Sequence, residues 1–376
     1  MNKLAKICGF AFAFALAACG GGGDDKTYDA ALLEQYRAAI PKETQVAAKA
    51  PQASVQALVG DPALLPKGSK DIVFGINGSV GGIINTMKTI VATEPTIYKS
   101  DTKEFLWGPF PNDDGVGTVA AYIKDQGEGA DFRYAYALLR GVDQDLAKMS
   151  PVIWGGANPD PTSDDHGSGV TLWDFEANYQ FELANNPDVA NTPLERGRFV
   201  AVYGKGKDAK GEFGIVLAAL RKFVPKDKPM EAPADLDYFY GQFKDATNQV
   251  DFVNYEGDID ISNDPAKSAA EKLNVRLAFF NEGTGRGEAT ASGGDLNMGQ
   301  VAEIAECWDK SIARSYLNFS SSTNGTPDGP GATEGDIASC GYFQGTLADL
   351  GVPSLAGVDP ALKAALDNVA TNGIPK

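Results

Sequence analysis

Alternation of apolar and polar residues dominates the middle of the chain. The period is two in several runs, of which residues 119–123, 132–138, 173–183 and 236–240 are clear examples. A strand places successive side chains on opposite faces, so each run predicts one apolar and one polar face. Short turns rich in Gly, Asp and Asn separate the runs and favour hairpins. The pattern predicts a mainly β (β-rich α+β) fold: one large, curved antiparallel β-meander with a few flanking helices.

Two strand candidates break this alternation. Residues 213–224 and 275–280 are apolar at most positions, so neither face of these strands suits water. Either other elements cover the second face, or the sheet curls around these strands. Helices from both ends of the chain are the available covers.

Apolar residues at helical spacing predict four helices, over residues 28–40, 80–93, 298–316 and 360–369. Ser79 is a cap candidate for the second helix. The third helix carries an apolar stripe and is the longest of the four.

The remaining segments complete the predicted organisation. We expect an irregular linker over residues 41–70 and a mobile loop over residues 320–335, where little can be buried. Whether the C-terminal helical part is a separate domain stays open. The chain divides into a signal peptide at 1–18, a tether at 19–27, N-terminal helices and linker at 28–103, the meander of about ten strands at 104–293, and a C-terminal helix, disordered loop and disulfide-pinned tail at 294–376.

The first eighteen residues have the composition of a secretory signal peptide. A basic start with Lys3 and Lys6 precedes an apolar run over residues 7–16, and two alanines follow. The apolar run is shorter than the roughly 20 residues that span a bilayer. We therefore expect export rather than a transmembrane helix.

The end of this segment reads Leu16-Ala17-Ala18-Cys19, which resembles the lipobox of bacterial lipoproteins. The resemblance implies that Cys19 is lipidated and anchors the protein to a membrane. The alternative is an ordinary cleaved signal with an incidental Cys. By resemblance to sorting in Gram-negative bacteria, Gly20 favours the outer over the inner membrane, and periplasmic or surface orientation stays open.

The four cysteines agree with export. Cys8 leaves with the signal peptide and Cys19 carries the lipid, so Cys307 and Cys340 remain. In an oxidising compartment we expect these two to form a disulfide. The alternative is a pair of free, buried thiols.

A second resemblance covers roughly the last quarter of the chain. The string contains Gly-Thr-Gly-Arg at 283–286, Gly-Gly-Asp at 293–295, Glu-Cys-Trp-Asp at 306–309 and the later Cys340. It is similar to a pattern in Gram-negative envelope lipoproteins that brings no known activity. The resemblance therefore implies an exported lipoprotein and nothing more.

Charge excludes several partners. The chain has 33 Lys and Arg against 50 Asp and Glu, a formal net charge of −17. Nucleic acids and anionic lipid head groups attract clustered cations, so we expect neither as an electrostatic partner.

Catalytic and metal motifs are absent from the sequence. The single His166 lies in a polar loop, and no Gly-x-Ser-x-Gly pattern is present. Asp258, Asp260 and Asp264 begin like a calcium-binding loop, but the pattern then fails at Ala269, where a bidentate Glu belongs. We expect no enzyme, no cofactor and no metal, and we interpret the acidic clusters as surface loops.

Other short patterns have structural interpretations. The clusters Asp160, Asp164, Asp165 and Asp113, Asp114 are interpreted as surface loops too, with calcium binding by these loops as the alternative that stays open. The Gly-rich stretch at 283–287 lacks the Lys and Ser or Thr of a phosphate loop and predicts a hairpin in which Arg286 pairs with a carboxylate. Facing carboxylates of a carbohydrate-active enzyme need a cleft that sequence does not reveal.

Aromatic residues on the predicted sheet either fill its core or line a ligand cavity. The second interpretation makes the protein a membrane-anchored envelope lipoprotein that binds a lipid or other apolar molecule, similar in architecture to lipoproteins that hold acyl chains. The alternative is a structural or interaction lipoprotein that displays acidic loops to a protein partner and has no ligand cavity. The candidate ligand-lining residues are Trp173, Phe175, Tyr179, Phe181, Tyr238 and Tyr240.

Overall fold

The structure is a computed structural model. It describes residues 28–54, 61–112, 116–189, 194–209, 211–226, 229–230, 232–244, 248–262, 264 and 266–373. The predicted signal peptide, lipobox and tether lie outside the described residues.

The described residues form sixteen strands in one antiparallel sheet. From β1 to β15, neighbours in the sheet are neighbours in sequence, and β16 pairs with β14. The predicted mainly β meander is confirmed, and the sheet extends beyond residues 104–293 at both ends. The strands are β1 Ile97–Lys99, β2 Glu104–Pro111, β3 Thr118–Asp125, β4 Tyr134–Gly141, β5 Ser150–Pro159, β6 Gly167–Asp174, β7 Arg196–Asp208, β8 Gly211–Val224, β9 Ala234–Lys244, β10 Gln249–Ile259, β11 Glu271–Phe279, β12 Gly285–Ser292, β13 Gln300–Trp308, β14 Arg314–Thr323, β15 Thr326–Pro327 and β16 Ala332–Gly335.

Helices precede, interrupt and follow the sheet. None of those in the described residues has both the length and the apolar character needed to cross a membrane. The helices are α1 Ala30–Arg37, α2 Glu43–Val46, α3 Leu64–Val91, α4 Phe175–Asn185 and α5 Pro360–Asn372, and short 3₁₀ segments are Leu146–Lys148, Ile337–Gln344 and Leu355–Gly357.

Helix α3 crosses one face of the sheet, which we call the inner face. At its start, Leu65 packs against Gly287 of β12, where an added Cβ would lie 2.7 Å from Leu65 Cδ1. Beyond its last turn, the carbonyl of Thr93 accepts a hydrogen bond from Trp107 Nε1 of β2 at 3.1 Å. The helix between these contacts is about 42 Å long, whereas the strands from β2 to β12 span about 48 Å of sheet. The sheet is therefore wider than the helix is long, which agrees with a sheet that bends around the helix.

The C-terminal segment, residues 337–373, crosses the opposite or outer face, and we call it the strap. Polar side chains from successive strands hold it, in an order that runs steadily from β12 to β7. Five of these contacts are Arg286 Nη1 to Phe343 O at 3.4 Å on β12, Arg276 Nη2 to Val352 O at 2.9 Å on β11, Leu355 N to Asn254 Oδ1 at 2.6 Å on β10, Arg221 Nε to Asp367 Oδ1 at 2.7 Å on β8, and Arg198 Nη1 to Thr371 O at 2.7 Å on β7.

A disulfide joins the strap to the sheet. Cys307 of β13 and Cys340 are bonded, with their Cα atoms 5.5 Å apart. The predicted pairing is confirmed. It fixes the strap beside the strand at which α3 begins.

The two covers explain the strands that are apolar on both faces. In β8, Ala218 belongs to the core beneath α3, whereas Leu217 and Ala219 belong to the core beneath the strap. In β11, Leu277 packs inward and Ala278 packs outward, next to the disulfide. Of the two alternatives, the structure shows the first: the N-terminal helices cover one face of these strands and the C-terminal segment covers the other.

The predicted strand over residues 173–183 is wrong beyond Asp174, where α4 begins. Asp174 caps this helix by accepting a hydrogen bond from Ala177 N at 2.9 Å. Arg140 of β4 binds Asn178 and Glu182, which lie one turn apart on the helix. The helix therefore presents polar residues at helical spacing to a buried cation, and the alternation of apolar residues is incidental.

The predicted helix over residues 298–316 is also wrong. Strands β13 and β14 occupy this segment, and Met298, from the supposed apolar stripe, is 95% exposed. Pairing of β13 with β12 on one side and β14 on the other satisfies its backbone groups. Trp308 is buried as the last residue of a strand rather than as part of a helical stripe.

Three segments differ in extent from the prediction. The second helix begins at Leu64 rather than at residue 80, so the supposed linker over 41–70 contains α2 and the first turns of α3. Ser79 lies inside this helix and donates to the carbonyl of Gly75 at 3.1 Å. The expected mobile loop over residues 320–335 instead contains the end of β14 together with β15 and β16, because backbone pairing does not require apolar side chains. The first and last predicted helices correspond to α1 and α5.

Candidate functional site

The six predicted ligand-lining aromatics do not come together in one cavity. Tyr238 and Tyr240 of β9 are buried in the core beneath α3. Burial raises the pKa of both phenols, as expected for hydroxyls inside a packed core. Trp173 and Phe175 stack on each other with ring centroids 4.5 Å apart, and Trp173 lies against Gly82 of α3. These four residues are core rather than cavity lining.

The other two aromatics belong to α4 and pack against arginines. The guanidinium of Arg196 lies 5.6 Å from the ring centroid of Tyr179, and that of Arg140 lies 4.4 Å from Phe181. Arg140 also contacts Glu182, with 2.6 Å between Nη2 and Oε1. Burial raises the pKa of the Glu182 carboxyl, but hydrogen bonds from Arg140 and Asn186 outweigh it, so the pKa falls below its ordinary value. This buried pair fixes α4 on the sheet.

His166 connects two hairpin loops. Its Nε2 lies 2.8 Å from Glu212 Oε2, and its Nδ1 lies 3.9 Å from Asp160 Oδ2. Nearby, Lys205 pairs with Asp165 at 2.5 Å. These contacts hold the β5–β6 loop to the β7–β8 hairpin, which is a structural role.

No described residues form a cluster of three or more His, Cys, Asp or Glu side chains suited to a metal ion. Asp260 and Asp264 instead accept hydrogen bonds from backbone groups two residues further on, at Ser262 and Ala266. Asp113 and Asp114 lie outside the described residues.

Arg286 pairs with a carboxylate, as predicted. Its Nε lies 2.8 Å from Glu288 Oε1, which also accepts from Leu347 N of the strap. The pair anchors the strap, and the predicted Gly-rich hairpin is the turn between β11 and β12.

A groove of about 610 Å³ opens beside the first half of α3. Residues 51–53, the start of α3 and the turn between β13 and β14 form its sides. Its volume falls in the range of roughly 300–1,000 Å³ that is usual for small-molecule sites. The residues that give it apolar walls are Pro51, Ala53, Pro62, Pro66, Phe74 and Ile312.

Backbone hydrogen bonds tie the three sides together. Ser54 N donates to Lys310 O at 2.8 Å, and Ala63 N donates to Ile312 O at 3.0 Å. An isolated antiparallel bridge joins Pro62 to Ala313. The groove is therefore built by fixed backbone rather than by side chains alone.

Ile312 adopts a left-handed backbone conformation, with φ of 60°. This conformation is strained for a β-branched residue and typically costs about 1–2 kcal/mol. Asp309 holds the turn by accepting hydrogen bonds from Ser311 N at 2.8 Å and Ala313 N at 3.1 Å. Burial raises the pKa of Asp309, but the hydrogen bond from the Ser311 hydroxyl, together with the two backbone hydrogen bonds, outweighs it and lowers the pKa. The strained turn places an apolar side chain in the groove wall.

Glu306 of β13 lies at the start of α3. Its two carboxylate oxygens accept hydrogen bonds from Leu64 N at 3.1 Å and Leu65 N at 2.5 Å. These are helix N–H groups that lack a partner within the helix. Glu306 is fully buried, and burial raises its pKa although both hydrogen bonds act in the opposite direction.

Two lysines stand on the groove side of α3. Lys67 and Lys70 line the groove, and Lys70 Nζ lies 5.5 Å from the ring centroid of Phe74, which is 48% exposed. Among the described residues, neither lysine is within 4 Å of a carboxylate. An exposed aromatic ring and two cations thus share one wall of an apolar groove.

The sequence does not predict this groove, because part of it lies in the supposed linker. The helical spacing of Ser69, Val73, Ile76 and Val80 continues the pattern of the predicted second helix toward its true start. Several glycines in α3 lower its intrinsic helix propensity and obscure that signal.

Comparison of the chain with protein families, curated proteins and solved structures finds no match. The site must therefore be interpreted from its own geometry.

Proposed function

We propose that the protein is a membrane-anchored envelope lipoprotein that binds an apolar ligand in the groove beside α3. The lipobox resemblance supports anchoring through Cys19, with the outer membrane favoured over the inner. The groove supports ligand binding at a position different from the one expected at first. The inner face of the sheet offers little room, because α3 and the N-terminal segment pack on it.

The observation that carries the proposal is an apolar groove with a fixed backbone. Apolar walls contribute about 25 cal/mol for each Å² that a ligand covers. A groove whose backbone is already held by hydrogen bonds loses little conformational entropy when a ligand binds. Phe74 is the single large apolar side chain of the wall that is substantially exposed on α3.

An interaction lipoprotein is the second candidate. The packed inner face and the acidic character of the chain favour it, as do the exposed apolar side chains of Phe319 and Ile337 at the β14–β16 end of the sheet. In this alternative a protein partner covers that end, and the groove stays empty.

Native mass spectrometry before and after organic extraction separates the two candidates. The chain carrying Cys19→Ser, which removes the predicted lipidation thiol, should be exported behind a signal peptide whose cleavage does not depend on that thiol, and purified without detergent. We expect a co-purifying apolar mass that extraction removes. Phe74→Asp should abolish that mass, because it places a charge in the groove wall.

Leu183→Asp is the matched control. Leu183 is 51% exposed on α4, so this substitution makes the same chemical change on another helix. It should leave the bound mass unchanged. An apo protein in every preparation would contradict the ligand-binding proposal and favour the interaction lipoprotein.

A further inference from the structure

We propose that the groove takes an amphiphile with an anionic head group, and that Lys67 and Lys70 bind this head group. The inference rests on the proposed function, since it names the chemical class of the ligand in that same groove. Carboxylate and phosphate head groups share the required charge.

Lys67 and Lys70 lie together in the wall of the groove. They lie three residues apart on α3, a spacing that places side chains on the same side of a helix. The apolar residues Pro62 and Ile312 line the same groove. The groove therefore combines two cations with apolar walls, which matches a charged head and an apolar tail.

Three carboxylates near the groove are already bound to other groups, and Asp71, which is exposed beside Lys70 on α3, does not line the groove. Asp61 lies 3.3 Å from Arg314, and Glu306 accepts from the first N–H groups of α3. Asp309 accepts from its own turn. The two lysines are thus the charged side chains of the described groove wall that remain to meet a ligand.

Helix α3 itself does not provide the anion site. Its N-terminal N–H groups are occupied by the Glu306 carboxylate, which offsets the positive end of the helix dipole. Attraction for an anion at this groove must therefore come from the ammonium groups of Lys67 and Lys70.

The overall charge of the chain makes this preference easy to test. A chain with a net charge of −17 attracts cationic amphiphiles and repels anionic ones over its general surface. A preference for the anion would therefore have to arise at a local site. The test compares laurate with dodecyltrimethylammonium, which have the same chain length and opposite head charges.

Calorimetric titration of the Cys19→Ser protein below the micellar concentration of each amphiphile measures the preference. We expect laurate to bind about threefold to tenfold more tightly than the cation, as two exposed ion pairs allow. The double variant Lys67→Glu/Lys70→Glu should reverse the order. Lys267→Glu, which makes the same charge change once in the exposed β10–β11 loop, should preserve it.

The outcomes separate this inference from the proposed function. Equal binding of both amphiphiles, lost in Phe74→Asp, would overturn the anionic head group and leave the apolar groove intact. A preference for laurate that survives in the double lysine variant would also overturn it. Binding of neither amphiphile would contradict both proposals.

Discussion

Helix α3 and the strap cross opposite faces of the same sheet, and both begin near its β12–β13 end. Helix α3 reaches β2, whereas the strap ends on β7. The helix is held along its length by buried apolar side chains, with polar contacts at its two ends. The strap is also held by buried apolar side chains, and in addition polar side chains from successive strands and a disulfide fix it to the sheet.

The difference follows from the backbone of each cover. An α-helix satisfies its own internal N–H and C=O groups, so it can lie on a sheet with only apolar contacts. Before α5 the strap has only short 3₁₀ segments, so many of its backbone groups lack a partner within the segment, and burying such groups without partners is costly. The sheet therefore supplies Arg276, Arg286 and Asn254 to the carbonyl and N–H groups of the strap. Buried polar residues on the outer face are accordingly anchors rather than a reactive site.

The two sides of α3 differ in a similar way. On one side, the N-terminal segment packs along the helix, and Asn77 bonds reciprocally with the backbone of Ala48 at 2.8 Å. Where that segment reaches Ser54 and pairs with Lys310, the groove opens. The groove thus lies beside the last described residues of that segment, 51–54.

Among these predictions, Ile83→Ala is expected to lower the free energy of unfolding the most. Ile83 is 1% exposed at the contact between α3 and the inner face. Removing its side chain should lower the free energy of unfolding by up to about 5 kcal/mol, from lost burial and the cavity left behind. Urea denaturation measures this. Phe74→Ala on the same helix should cost far less, and equal losses would contradict an apolar attachment of the helix.

Loss of the disulfide should have a somewhat smaller and more local effect. The double variant Cys307→Ser/Cys340→Ser opens a loop between residues 33 apart. In the loop-entropy model this lowers the free energy of unfolding by about 3–4 kcal/mol. Hydrogen exchange should accelerate in the strap and stay slow in α3. Equal acceleration in both would show that the two covers are not independently held.

Replacing Glu306 is expected to have the smallest effect on the free energy of unfolding, and this effect depends on pH. Its pKa is raised in the folded protein, so the protonated form is favoured there. The stabilisation from the protonated carboxyl is fully present below the pKa that Glu306 has in the unfolded chain. It is lost as the pH rises through the higher pKa that Glu306 has in the folded protein. Relative to Glu306→Gln, the native protein should therefore lose stability with rising pH, by about 1 kcal/mol for each unit of pKa difference. Urea denaturation of both proteins at several pH values measures this, and the opposite slope would contradict it.

The sequence predicts the sheet well because its signal is local. Runs with a period of two identify β3, β4 and β9, and apolar strands such as β8 indicate covers on both faces. It fails where a distant residue decides the local structure. Asn178 and Glu182 fold into a helix that meets Arg140, and Glu306 on a strand caps a helix that begins at Leu64.

The groove could not be predicted from the sequence, for a related reason. Its sides come from three places along the chain, and backbone bridges rather than a motif join them. Aromatic residues draw attention to the sheet, yet most of them fill the core. The lysines and Phe74 lie on the polar side of an amphipathic helix, where sequence alone suggests only solvent.

Hydrogen exchange with and without laurate reports where the ligand binds. We predict slower exchange in residues 61–75 and in the turn at 309–313 when laurate is present, with no change in β9 or α4. Protection of the strands that carry Trp173, Tyr238 and Tyr240, without protection at the groove, would contradict ligand binding in the groove and place the ligand at the inner face of the sheet.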